Sequence, residues 1–188
     1  MYLTVNTDNQ VKVTAEGGVS AVVTAMENHP TDAKVQAAAC AALRNLAVNA
    51  DNQVKVAAEC GVGAVVTALQ RHPTDAKVQE AACSALGNLA LNNADNQVKV
   101  AGEGCVGAIV TALQNHPTHV KVQEAACLAL ASLTANSNNQ VKAKSAGAED
   151  AVKRTITLQD ATALTKEWGQ IVLDSLAAKE RLGVSVSV

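Results

Sequence analysis

The sequence contains no phenylalanine, and Tyr2 and Trp168 are its only aromatic residues among 188. Apolar residues make up 48% of the chain, enough for a core, but that core must be assembled from Ala, Val, Leu and Cys. Such side chains let helices approach closely yet bury little area each, at roughly 25 cal/mol per Å² of apolar surface. Stability therefore has to come from many similar contacts. A charge surplus is also missing, since 15 Lys and Arg stand against 17 Asp and Glu. Without a basic surplus, nucleic acid is not an expected partner. Residues 1–14 lack the charged start and apolar run of a secretory signal, and no stretch reaches the roughly 20 apolar residues of a membrane span. The expectation is a soluble cytoplasmic protein, with the nucleus also open.

What the chain does have is repetition. Gln79 to Ala90 reads Gln-Glu-Ala-Ala-Cys-Ser-Ala-Leu-Gly-Asn-Leu-Ala, and near copies stand at Gln36 to Ala47 and at Gln123 to Thr134. The dipeptide Asn-Gln followed by Val recurs at Asn9, Asn52, Asn96 and Asn139, at intervals of 43, 44 and 43 residues. Periods of roughly 40 to 47 residues mark helical arrays, in which each unit buries its apolar face against its neighbours. The one extra residue falls among Asn92, Asn93 and Ala94, in a polar turn where length varies at little cost.

Within each copy the pattern predicts three helices. The first, Asn52 to Glu59, has Asp51 as its N-cap and a break at Gly61 and Gly63. The second runs from Gly63 to Arg71 and is closed by His72-Pro73. The third begins at Thr74 or Asp75 and aligns Val78, Ala82, Ala85, Leu86 and Leu89 on one side. The expected organisation is one domain over 1–188, with repeats at 8–50, 51–94 and 95–137. Residues 1–7 align with the end of a third helix and are expected to be its remnant, which would leave an N-terminal face open to another chain. Residues 138–183 keep register but diverge: Lys153 and Arg154 replace Val66 and Thr67, as expected of a C-terminal capping repeat. The tail 184–188 alternates Val and Ser.

Residues that could carry chemistry come in copies, whereas an active site needs one nucleophile beside one base. Cys40, Cys83 and Cys127 hold equivalent places, as reduced packing residues do. His29, His72 and His116 each precede Pro and are expected to end helices; stacked helices stand about 8 to 10 Å apart, too far for neighbouring rings to share a zinc ion. Gly102 to Gly107 matches Gly-x-Gly-x-x-Gly, but no strand precedes it and the second copy does not keep it. The chain is expected to be no enzyme and to hold no cofactor or metal.

The period, the three-helix unit and the run Ala82-Cys83-Ser84-Ala85-Leu86-Gly87-Asn88-Leu89-Ala90 together resemble the armadillo repeat family, to which importin alpha and beta-catenin belong. The resemblance implies an all-α fold: a right-handed α-solenoid of three near-identical three-helix repeats and a divergent C-terminal capping repeat, with third helices lining a concave groove that holds segments of other proteins. It also implies that Asn45, Asn88 and their counterparts Ser132 and Ser175 face a ligand backbone. The side-chain pockets would then be formed at Ala41, Ser84, Leu128 and Ile171. The asparagine ladder is incomplete and no Trp stands at the pocket positions, so a scaffold or adaptor is the expected role. A self-associating segment of a longer array and a transport receptor for short linear motifs are the alternatives.

Helical steps of four, seven and eleven back from Asn88 give Ser84, Ala81 and Lys77 on one face. The equivalent sets end in Lys34 and Lys121. Small side chains would form the floor, and the lysines would either favour an acidic segment or stand solvated in the first turn. Trp168, at the position of Ala81, is either a partner's anchor point or the seal of the last helix.

Overall fold

The computed structural model describes residues 7–181, so residues 1–6 of the expected remnant and the tail at 184–188 lie outside the described residues. Among the described residues there are twelve α-helices and no strand. In chain order they are α1 (Thr7–Ala15), α2 (Gly18–Asn28), α3 (Ala33–Leu46), α4 (Ala50–Ala58), α5 (Gly61–Arg71), α6 (Ala76–Ala90), α7 (Ala94–Gly102), α8 (Cys105–Asn115), α9 (Val120–Thr134), α10 (Ser137–Ser145), α11 (Ala148–Thr157) and α12 (Ala163–Arg181). They form consecutive triplets whose third members lie side by side, α3 on α6, α6 on α9 and α9 on α12. This is the all-α solenoid that the repeats predict.

The helix starts are set by local capping, which matches the expected Asp75 in α6 and departs from expectation in α4. The side chain of Asn49, not Asp51, caps α4 by accepting the Asn52 N–H at 3.1 Å. Asn93 and Asn136 do the same for α7 and α10. Asp51 sits inside the first turn, where its charge complements the helix dipole. Asp75 rather than Thr74 caps α6, accepting from the Lys77 and Val78 N–H groups at 3.0 Å each. His119 takes that place in α9, with Nδ1 accepting from Val122 at 3.4 Å.

Between first and second helices the chain needs one left-handed residue. Gly17, Gly104 and Gly147 supply it with φ of 80°, 78° and 77°, while in the second triplet Cys60 does so at 61°. The second helix therefore starts at Gly61, not Gly63. A Cβ on Gly61 would sit 2.8 Å from the Val56 carbonyl oxygen, so only glycine fits where α4 meets α5.

Buried amides hold the triplets together. Gln79 donates through Nε2 to the carbonyls of Leu69 and His72 at 2.8 and 2.9 Å, closing α5 onto α6, and Gln36 and Gln123 repeat the arrangement. The Asn-Gln marker ties each first helix to its surroundings: Gln53 on α4 donates to Ala47 at the end of α3 and to Asn88 on α6, and Asn139 on α10 to Leu133 on α9 and Gln97 on α7. The histidines end their helices as expected and also link triplets, His72 Nε2 bonding the Pro30 carbonyl at 2.9 Å and His116 that of Pro73 at 2.8 Å. Most polar groups buried by the stack thus meet a fixed partner; among the described residues Asn52 Nδ2 and Ser132 Oγ do not.

The core is the expected one. Val78, Ala82, Ala85, Leu86 and Leu89 are fully buried, as are Cys40, Cys83 and Cys127. Third helices approach closely at Gly87, where a Cβ would lie 3.3 Å from the Ala129 Cα. No helix among the described residues is long and apolar enough to cross a membrane.

Candidate protein-binding groove

The third helices present one row of residues along their common face. Asn45 and Asn88 stand on adjacent helices, and the Asn88 side-chain amide donates to the Arg44 carbonyl at 3.0 Å. The guanidinium of Arg44 in turn donates to Asn45 Oδ1 through Nε and Nη2, at 3.2 and 3.1 Å. These amides brace α3 against α6. Ala41, Ser84 and Leu128 are half-buried on the same face, as expected for a floor of small and medium side chains.

Ser132 departs from the expectation of an accessible ladder position. It is only 6% exposed, and its Oγ meets no hydrogen-bond partner. Serine is shorter than the asparagine of the preceding triplet, so it does not reproduce the bond that Asn88 makes.

A cleft of about 410 Å³ opens where four helices converge. Arg44 comes from α3, Glu80 and Ser84 from α6, Lys121, Glu124, Ala125 and Leu128 from α9, and Leu164 and Trp168 from α12. Four of the sequence-derived candidates, Ser84, Lys121, Leu128 and Trp168, thus share one site. Trp168 is half-buried, packing on the core while its remaining surface lines the cleft; Leu164 and Ile171 beside it are 47% and 39% exposed. Trp168 therefore seals the last helix and also contributes to the cleft wall.

The row of lysines is not uniform. Lys34 and Lys77 are exposed, whereas Lys121 pairs with Glu124 at 3.5 Å. Two carboxylates and two cations line the cleft, so the expected bias toward acidic segments has no support in its charge. Glu80 and Glu124 were missed because the helical steps of four, seven and eleven skip eight, which leads from Asn88 to Glu80 and from Ser132 to Glu124; Arg44, next to Asn45, lies on no such step.

The four buried thiols are poor nucleophiles. Burial pushes the thiols of Cys40, Cys105 and Cys127 up to about 12 and raises that of Cys83 as well. No group of three or more metal-ligating side chains occurs among the described residues.

Stacked helical triplets with a continuous third-helix face define a helical repeat protein, an α-solenoid. Residues 6–48 and 50–91 match the family model of the Armadillo/beta-catenin-like repeat. An engineered protein of known structure superposes with a TM-score of 0.84 at 26% identity, over 94% of this chain and 71% of its own. A designed armadillo repeat protein gives 0.81 at 22% identity, over 93% and 71%. Another, solved in complex with the peptide (KR)4, gives 0.79 at 21% identity over the same shares, 93% and 71%. A comparison with curated proteins gives no match. The first two triplets thus match the Armadillo/beta-catenin-like repeat, and the fold of the chain is similar to that of designed armadillo repeat proteins.

Proposed function

We propose that this chain is a non-enzymatic protein-binding scaffold that holds an extended or helical segment of a partner along its third-helix groove. The observation that carries the reading is the cleft of about 410 Å³ at which side chains from α3, α6, α9 and α12 meet on that face. Leu128, Leu164 and Trp168 offer an apolar seat, and Trp is enriched among residues that dominate binding energy. Glu80, Lys121 and Glu124 surround it with both signs of charge, which suits a segment with one apolar anchor flanked by mixed polar residues better than a purely acidic one. Fully buried thiols and chemistry-bearing groups repeated in copies favour binding over catalysis. The peptide complex of a designed armadillo protein supports a segment as the kind of ligand such a fold can take.

The test is selection of binders from a random peptide library on the folded chain, followed by titration with Trp168 fluorescence as the signal. Replacing Leu128 by Lys is expected to weaken the selected peptides about tenfold or more, the range of a central apolar contact. Selected peptides that leave Trp168 fluorescence unchanged and bind the Leu128→Lys variant equally well would overturn the assignment.

A further inference from the structure

We propose that the junction of the third and fourth triplets is a binding site for a small N–H heteroaromatic ring of the imidazole class. A cavity of about 180 Å³ lies there, walled by the turn between α8 and α9, by α9, by the end of α11 and by the start of α12. An apolar cavity of about 150 Å³ takes one benzene ring, so a single five- or six-membered ring fits. The register of the repeats shows what occupies this place at the two earlier junctions. There a histidine ring crosses between triplets, His72 Nε2 bonding the Pro30 carbonyl and His116 Nε2 that of Pro73. Next in the series are Gln159 and the Pro117 carbonyl. Gln159 is exposed and its side chain makes no hydrogen bond to a described residue. Both Gln159 and Pro117 line the cavity, which therefore opens where the imidazole stands in the preceding triplets.

The walls suit a flat ring with one polar edge. Val120, Leu158 and Ala161 supply apolar contact. Thr155 and Thr165 also line the cavity, and they are 3% and 1% exposed. Earlier triplets carry Ala68 and Ala112 in place of the first and Val78 and Val122 in place of the second, all buried. A hydroxyl at a buried position costs free energy unless it is bonded, and here two replace apolar residues beside one cavity. Convergent polar groups in a mostly apolar pocket are the usual make-up of a small-molecule site. Their chemistry selects a donor. The Thr155 hydroxyl already donates to Gln123 Oε1 and to the Ala151 carbonyl, so it can offer a ligand only its lone pairs. The Pro117 carbonyl and the carboxylate of Asp160, which also lines the cavity, are acceptors too. The ligand must bring the hydrogen, as a ring N–H does and a hydrocarbon ring does not. This site shares no lining residue with the third-helix cleft, so the two stand or fall separately.

The test is a nuclear magnetic resonance titration of the whole labelled chain with imidazole at about pH 8.5, where the free ring is neutral. Imidazole is taken to about 50 mM, well above the Kd on the order of 1 mM that so few ligand atoms allow. Saturable shift changes are expected at Val120, Thr155, Leu158 and Ala161, with Ser84 and the Trp168 indole unmoved. 1-Methylimidazole keeps the ring but has no N–H, and is expected to bind about tenfold more weakly or less. Gln159→His, a change at an exposed position, returns the histidine of the earlier junctions. It is expected to keep the helical circular dichroism and to weaken imidazole about tenfold or more, because its own ring takes the place. Absence of saturable shifts at those four residues overturns the proposal. So does equal binding of 1-methylimidazole, or a Gln159→His variant that takes imidazole as well as the parent.

Discussion

The side-chain amide of Asn88 on α6 reaches across to α3 and donates to the carbonyl oxygen of Arg44 at 3.0 Å. An asparagine at the position expected to hold a ligand backbone is thus already part of the scaffold. Its removal leaves one fewer cross-helix bond, so Asn88→Ala is expected to lower stability by about 1 kcal/mol. Urea unfolding checks this, and an unchanged midpoint would show that the bond contributes nothing in solution.

Leu86 is fully buried between α6 and its neighbours. Truncation to Ala is expected to destabilise the chain by about 2 to 5 kcal/mol, the range for a core cavity. Val54 is 58% exposed on α4, and its truncation is expected to stay within about 0.5 kcal/mol. Equal effects at the two sites in denaturant melts would contradict the burial pattern.

Cys60 is the left-handed residue of the second triplet and has an exposed side chain. Glycine adopts that conformation without a Cβ clash, so Cys60→Gly is expected to stabilise the fold by about 1 kcal/mol. The same geometry sets thiol reactivity. In the native protein a thiol reagent at mildly alkaline pH should modify Cys60 rapidly and leave Cys40, Cys83, Cys105 and Cys127 protected until unfolding. Fast modification of several thiols would mean that the stack opens readily.

The carboxylate of Asp32 is held below its ordinary range by hydrogen bonds from the backbone N–H groups of Val35 and Lys34. A depressed folded-state value means that the cap's full contribution is present above the unfolded carboxylate range and is lost as pH falls through the folded one. Asp32→Asn keeps a capping side chain but cannot titrate. Its stability is expected to fall less than the parent's between about pH 5 and pH 2. Parallel curves would remove Asp32 from the acid response.

Much of the architecture was legible because one pattern was written several times. The apolar spacing of Val78, Ala82 and Leu86 fixed the buried side of α6, and the charged replacement at Lys153 falls on an exposed position of α11. Single-residue geometry was harder to read. Nothing in the string says that Cys60, rather than a glycine, takes the left-handed turn, or that Asn49 caps α4 in place of Asp51, since Asn and Asp both cap well. The cleft was half visible: Ser84, Lys121, Leu128 and Trp168 follow from helical steps along equivalent helices. Arg44 entered because its neighbour Asn45 draws the guanidinium across the face, a contact between adjacent residues that periodicity does not encode. The burial of Ser132 was not legible, because helical spacing places a residue on a face without saying how tightly its surroundings close over it.

The most direct measurement of groove binding is a nuclear magnetic resonance titration of the labelled chain with a library-selected peptide. The expected result is that the largest shift changes fall on Ser84, Leu128 and the Trp168 indole, across three successive third helices. Changes confined to α2, α5 and α8, with those three residues unmoved, would contradict docking on the third-helix face.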